Sequence, residues 1–212
     1  MTKKTWIVAL AAAVVAAGVS CHSRPIVLVP PAMDLALYEP IGIITFTAEN
    51  AKGDIEEMST QIFLKQLTQY QKAPVIEMGD LDSVLRKAGV KALGPETDRT
   101  VGEVFGVKSF FVGSVKVSKL KPQVDIGAAL NQRLRVRAST DITATVRFMS
   151  AESGATLWTD SSTLNGTLGV LSAGEGETPY VGVRDQDQAA RDFLNELFYE
   201  LTWDFRPTRR RL

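Results

Sequence analysis

The stretch LRVRASTDITATVRFM at residues 134–149 decides the fold of this 212-residue chain. From Leu134 to Phe148 every second residue is apolar or Thr, and the residues between them are Arg, Ser, Thr or Asp. A period of two is typical of a β-strand whose two faces meet different surroundings. The turn-forming segment Ala151–Gly154 follows, and a second β-rich segment begins at Thr156. We therefore predict a long antiparallel hairpin.

The apolar face of this hairpin has two interpretations. In the first, which we favour, the face packs against helices in one soluble sheet. In the second, it meets lipid as a membrane-inserted hairpin, for which a strand of about 9–11 residues suffices. Thr140 on the apolar face and the lack of aromatic girdles favour the first interpretation.

The segments around the hairpin show alternating strand and helix patterns. Ile41–Phe46 is too apolar for a half-exposed strand and too short for a helix, which indicates a buried central strand. In order, the patterns predict a strand at 41–46, a helix at 50–70, a strand at 75–78, helices at 80–89 and 97–105, a strand at 107–117, the hairpin, and a helix from Asp185 or Asp187 to Pro207. The predicted fold class is α/β: a single domain at 40–206, with a mixed sheet, a long antiparallel hairpin and flanking helices.

The first twenty residues have the layout of a secretory signal peptide, because Lys3 and Lys4 precede an uncharged apolar run from Trp6 to Val19. About 14 residues cover about 21 Å as a helix, against roughly 30 Å for a bilayer core, so a transmembrane helix is the weaker interpretation. Cys21, the only cysteine, follows small residues in an arrangement that resembles a bacterial lipobox. We predict cleavage before Cys21 and lipidation of its thiol.

Lipidation of Cys21 predicts a chain anchored in the outer membrane, on its periplasmic side. The next residue is His22 rather than the Asp that resembles an inner-membrane retention signal. The segment 21–39 is rich in proline and has no clear apolar period, which is typical of an extended tether. Its apolar stretch Ile26–Val29 is the part that could pack on the domain.

Composition and residue inventory exclude several classes of function. The 24 basic and 24 acidic residues give a net charge of zero, so no field recruits nucleic acid. His22 is the only histidine and lies beside the lipidation site, which excludes Ser-His-Asp triads and His-based zinc motifs. The glycines match no phosphate-binding or dinucleotide motif. We predict no enzymatic activity, no metal, no cofactor and no small-molecule substrate.

Two segments are candidates for binding. The glycine-rich segment 166–182 reads as a long apolar loop, and such loops are often functional, so we assign a protein partner to Leu168, Val170, Leu171, Tyr180 and Val181. The second is the basic tail at 207–212 with the arginine before it. Arg206, Arg209, Arg210 and Arg211 are candidate contacts to anionic lipid headgroups or peptidoglycan carboxylates. The alternative for the tail is a solvated, frayed terminus.

Four segments carry residue patterns that match those of a known family; they lie at 38–46, 75–85, 101–115 and 144–158. They resemble, in the same order, the opening strand, the strand and helix with a Leu-Asp core, the helix with its "G-S-V" strand, and the hairpin turn of the curli production assembly/transport lipoprotein family. The resemblance covers roughly residues 38–165. The same α/β unit is similar to penicillin-binding-protein activator lipoproteins and to the amino-terminal domain of the Tol translocation protein.

This resemblance implies an α/β fold, an envelope location and structural rather than catalytic motifs. The leading hypothesis is a docking module for a protein partner in envelope assembly or secretion. The alternatives are a subunit of a homo-oligomeric secretion pore of curli type and an activator of a peptidoglycan synthase.

Overall fold

The computed structural model describes residues 26–51, 54–118, 121–126, 134–173, 180–183 and 186–211. They belong to two compact units. In the smaller unit, whose described residues are 26–30 and 207–211, β1 (Ile26–Val29) pairs antiparallel with β10 (Thr208–Arg211). The main unit, Pro31–Arg206, holds the other elements.

The main unit contains four α-helices and eight strands among the described residues. The helices are α1 (Ile55–Thr68), α2 (Leu81–Ala88), α3 (Thr97–Phe105) and α4 (Gln186–Leu201). The strands are β2 (Ile41–Ile44), β3 (Thr47–Glu49), β4 (Val75–Gly79), β5 (Ser109–Val117), β6 (Lys121–Ile126), β7 (Leu134–Ser150), β8 (Thr156–Ala173) and β9 (Tyr180–Val183). No described helix combines the length and the apolar character needed to cross a bilayer.

The sheet is mixed, which confirms the predicted fold class. Its order is β4-β2-β5-β7-β8-β9; β2 is parallel to β4 and β5, whereas the pairs β5/β7, β7/β8 and β8/β9 are antiparallel. The hairpin β7/β8 is as long as the alternating stretch predicts. Its length has a structural reason, because β5 and β6 pair in succession along the same side of β7.

Both faces of the central strands are buried, as the apolar run of β2 predicts. In β5, Phe111 joins a core cluster with Phe63 of α1, while Phe110 joins a second cluster with Val84 of α2 and Val101 of α3. Successive residues of a strand point to opposite faces. The sheet is therefore covered by α1 and α4 on one side and by α2 and α3 on the other.

The apolar face of β7 packs inside the main unit over the residues whose side chains are described. Ile142, Ala144, Val146 and Phe148 are buried in the same cluster as Leu194 and Leu197 of α4. This confirms the favoured interpretation for that part of the strand, a soluble sheet whose apolar face meets helices.

The prediction of a loop at 166–182 is wrong for residues 166–173 and 180–182, which lie in strands, and residues 174–179 lie outside the described part of the chain. Strand β8 continues to Ala173, and β9 pairs with it over Gly169–Ser172. Gly166 lies within β8 because of packing: a Cβ there would lie 2.3 Å from Cζ of Phe193 in α4. A glycine in a strand can mark such a close approach as well as a turn.

Two other segments differ from the sequence-based boundaries. Strand β6 was not predicted, since Pro122 interrupts its pattern; among the described strands it pairs with β7 alone, and an edge strand tolerates proline. Part of the predicted tether belongs to the main unit. Asp34 caps a 3₁₀ turn at Leu35–Tyr38, and Leu35 is fully buried.

Gln71 holds this turn against the end of the main unit. Its Oε1 accepts from the backbone N–H of Leu35 at 3.2 Å, and its Nε2 donates to the carbonyls of Met33 at 3.1 Å and Phe205 at 2.7 Å. Each bond satisfies a buried or half-buried polar group, which is costly to leave unpaired. The proline-rich segment is therefore ordered by hydrogen bonds to a residue that is distant in the sequence.

Asp98, in the first turn of α3, is a buried carboxylate. Its Oδ1 accepts from the backbone N–H of Gly94 at 3.0 Å, and its Oδ2 is buried without a hydrogen-bond partner among the described residues. Burial raises the pKa of Asp98, against the opposing effects of the Gly94 hydrogen bond and the positive charge of Arg147. The Asp98 carboxyl closes the loop at 94–98 and therefore has a structural role.

We expect Gly166→Ala to destabilise the main unit by about 1–3 kcal/mol, because the added methyl overlaps the Phe193 ring and the core must shift. Urea denaturation measures the free energy of unfolding. Gly94→Ala is the matched control, since a Cβ there meets Thr97 Oγ1 only at 3.8 Å. Equal stability of the two variants would contradict the packing role of Gly166.

The raised pKa of Asp98 predicts a pH-dependent stability. The folded chain holds the Asp98 proton more tightly than the unfolded chain, so this contribution is complete below the ordinary pKa of an aspartate. It is lost as the pH rises from that value through the raised pKa. We expect Asp98→Asn, which is neutral throughout, to gain stability relative to the parent across this window. Urea denaturation at a series of pH values tests this, and a constant difference would contradict it.

Candidate interaction site

The described residues offer candidate binding surfaces. They contain no group of three or more His, Cys, Asp or Glu side chains that could hold a metal ion. An open groove of about 600 Å³ lies between α1 and α4, where Asp54 and Glu57 are balanced by Lys65 and Arg191. Gln61 and Asn195 are also among the described residues that line it.

Arg206 is buried, and its prediction as a contact to an anionic surface is wrong. Only 5% of the residue is exposed. The chain turns back after α4 through a 3₁₀ turn at Trp203–Phe205, and the backbone N–H of Arg206 donates to the carbonyl of Trp203 at 3.1 Å. This turn directs the side chain inward instead of into solvent.

Two tyrosine rings flank the buried guanidinium. The Arg206 Cζ lies 3.7 Å from the ring centroid of Tyr199 in α4 and 5.1 Å from that of Tyr70, which follows α1. A cation held against an aromatic face is stabilised by about 2 kcal/mol when it is desolvated. The arginine therefore joins the C-terminal ends of α1 and α4.

The hydrogen bonds of Arg206 are incomplete. Its Nη2 donates to Thr202 Oγ1 at 2.5 Å and to Gln66 Oε1 at 3.4 Å. The buried Nε and Nη1 have no hydrogen-bond partner among the described residues, and no described carboxylate forms a salt bridge with the side chain. Stacking of the guanidinium on the rings replaces the usual ion pair, and it holds the two rings in place at the surface.

The two tyrosines that contact Arg206 are exposed, and so is Trp203, whose backbone carbonyl accepts from the Arg206 N–H. The exposed fractions are 39% for Tyr70, 49% for Tyr199 and 56% for Trp203. We call Tyr70, Tyr199, Trp203 and Arg206 the arginine–aromatic patch. Aromatic residues and arginine are the types most enriched at the energetic centres of protein interfaces. The patch is not among the sequence-based predictions; the available signal is Tyr199, which lies outside the apolar stripe of α4.

The five candidate residues of the predicted loop lie in neighbouring strands. Leu168, Val170 and Leu171 belong to β8 and Tyr180 and Val181 to β9, with Leu171 directly opposite Val181. Their apolar character matches the composition of a paired strand. A binding role can therefore not be inferred from the length of a loop. Their assignment to a partner stays a prediction.

The remaining predicted residues lie near the chain ends. Cys21 and His22 are outside the described residues. Arg209, Arg210 and Arg211 lie in β10 opposite Leu28, Val27 and Ile26, and the first two are exposed. The basic tail is therefore one strand of an antiparallel pair rather than a frayed end.

No protein-family model matches the chain, and comparison with curated proteins finds no relative. Among solved structures, the PelC dodecamer from Paraburkholderia phytofirmans is similar with a TM-score of 0.44 and 10% identity, covering 86% of this chain and 96% of that one. The LpoB C-terminal domain from Salmonella enterica has a TM-score of 0.37 and 10% identity, covering 60% and 83%. Lipoprotein GNA1162 from Neisseria meningitidis has a TM-score of 0.35 and 11% identity, covering 76% and 96%.

None of these three is described as a curli protein, so the comparison does not single out that family. The TM-scores are too low to establish a common fold. What those proteins bind or assemble into is therefore not transferred to this chain.

Proposed function

We propose that this chain is a non-enzymatic envelope lipoprotein, anchored through Cys21 at the periplasmic face of the outer membrane, that docks a protein partner. The observation that carries the docking role is the arginine–aromatic patch. The anchoring role is supported by the signal-peptide layout of residues 1–20 and by the position of the single cysteine directly after it.

The patch has the physical properties of a docking surface. Removal of its exposed aromatic area from water by a partner favours binding, by roughly 25 cal/mol per Å² of apolar surface buried. The stacking of Arg206 on Tyr199 and Tyr70 holds the rings before binding, so little side-chain entropy remains to be lost. A partner would supply an apolar surface with polar groups at its rim.

The core explains why the patch is available for binding. Phe198 and Leu201 of α4 are buried in the main cluster, whereas Tyr199 lies on the opposite side of the same helix. The stability of the fold therefore depends on the inward residues. Changes at the patch are expected to affect binding more than folding.

We expect Trp203→Ala to weaken partner binding by about 2 kcal/mol or more, roughly 30-fold, as is typical of an aromatic residue at an interface centre. The measurement is capture of the partner from detergent-solubilised envelopes, followed by titration of the identified partner. Val104→Ala is the matched control, because Val104 is an exposed apolar residue on α3, outside the patch. Equal binding by both variants, with melting temperatures equal to that of the parent, would contradict the proposed docking surface.

We expect Cys21→Ser to abolish palmitate incorporation, because the thiol is the atom that accepts the diacylglycerol. The chain should then leave the outer-membrane fraction on density-gradient separation. Ser20→Ala keeps a small residue before the cysteine and serves as the matched control. Palmitate labelling of the Cys21→Ser chain, or loss of labelling in the control, would contradict the anchoring role.

A further inference from the structure

The smaller unit brings the two ends of the chain together in one antiparallel ribbon. β1 pairs with β10 in the register Ile26↔Arg211, Val27↔Arg210, Leu28↔Arg209 and Val29↔Thr208. We call these two strands the terminal ribbon. Its two strands come from opposite ends of the sequence, so the basic tail is held beside the residues that follow Cys21.

One face of the terminal ribbon combines aliphatic and cationic residues. Directly opposite residues lie on the same face of an antiparallel pair, and alternate residues of a strand share a face. Ile26, Leu28 and Arg209 therefore occupy one face, and Val27, Val29, Thr208 and Arg210 the other. Ile26 and Leu28 are 60% and 63% exposed, and Arg209 is exposed as well.

The distance from the ribbon to Cys21 is limited by covalent geometry. Four residues separate Cys21 from Ile26. An extended chain spans at most about 3.6 Å per residue, so the Cα atoms of Cys21 and Ile26 are at most about 18 Å apart. A lipidated Cys21 lies at the headgroup layer. The first residue of the ribbon is then held close enough to the membrane for the ribbon to reach its surface.

We propose that the face carrying Ile26, Leu28 and Arg209 binds the membrane surface, with the Arg209 guanidinium on the phosphates of anionic phospholipid headgroups and the aliphatic side chains at the acyl boundary. This inference rests on the lipidation of Cys21 in the proposed function. Charge complementarity and the short link to the anchor select lipid as the occupant. Interfacial elements of other proteins combine apolar and cationic side chains in the same way.

The consequence is a second attachment beside the acyl chains. Each arginine close to an anionic surface strengthens binding about fivefold, which corresponds to about 1 kcal/mol. The ribbon is joined covalently to the main unit at Pro30–Pro31 and at Arg206–Pro207. The basic tail then serves anchoring, although it is the part of the sequence farthest from Cys21.

The test uses the lipidated chain, reconstituted in vesicles of phosphatidylcholine with or without phosphatidylglycerol. An environment-sensitive fluorophore is attached through Leu28→Cys, and a spin-labelled lipid reports contact with the headgroup region by quenching. The same fluorophore attached through Leu37→Cys, an exposed position of the main unit, is the control. We expect stronger quenching at position 28, increased by phosphatidylglycerol and decreased by salt.

Two charge changes in the labelled chain separate the faces of the ribbon. The equilibrium constant for contact between the ribbon and the membrane surface follows from the quenching at position 28. Arg209→Glu is expected to lower this constant at least fivefold in phosphatidylglycerol vesicles. Arg210→Glu, the same change on the opposite face, is expected to lower it less. The proposal is overturned if quenching at positions 28 and 37 is equal, if it is independent of phosphatidylglycerol, or if the two changes act equally. It is also overturned if Arg209→Glu impairs binding to isolated peptidoglycan and leaves the quenching unchanged.

The same samples separate failure of this proposal from failure of the proposed function. The mass of the N-terminal peptide reports acylation of Cys21 directly. An acylated chain whose ribbon is not quenched overturns the lipid contact and leaves the anchor intact. A chain without acyl groups overturns the anchor itself, together with the inference that rests on it.

Discussion

Phe111 of β5 and Phe148 of β7 lie directly opposite each other in the sheet register, and their rings stack with centroids 4.4 Å apart. This pair joins the parallel half of the sheet to the antiparallel half. Phe111 also contacts Phe63 of α1 and Phe205 of the last turn, and Phe148 contacts Tyr38. The helical layer, the N-terminal turn and the C-terminal turn thus all rest on one aromatic contact, which a smaller side chain would leave with a cavity.

The surface features follow from this core. Phe198 of α4 packs on Phe46 and Phe63, and this contact sets which side of α4 faces solvent. Tyr199 is thereby placed outward, where it stacks on Arg206. The proposed docking surface and the core therefore use adjacent residues of one helix for different purposes. Arg206, the charged residue beside these rings, stabilises the local structure rather than adding to the electrostatic field at the surface.

Much of the fold follows from local pattern. The alternation in β7, the all-apolar β2 and the cap at Asp80, whose side chain accepts from the Ser83 backbone N–H at 2.8 Å, are readable because they depend on neighbouring residues. The segment at 166–182 was misread because Gly166 matches the bulk of Phe193, a residue distant in sequence. Gln71 likewise acquires its role from partners at Met33, Leu35 and Phe205. The candidate site was harder to read, since its four residues come from three separate segments.

By itself, the sequence determined the α/β class, the long hairpin and the order of the helices, because periodicity and capping are local properties. Only the tertiary structure decided that Arg206 is buried against two tyrosines, that residues 166–173 and 180–182 lie in paired strands, and that the basic tail pairs with Ile26–Val29. The physical reason is the same in each case. A charge or a glycine has several low-energy environments, and the contacts that select one come from residues far away along the chain.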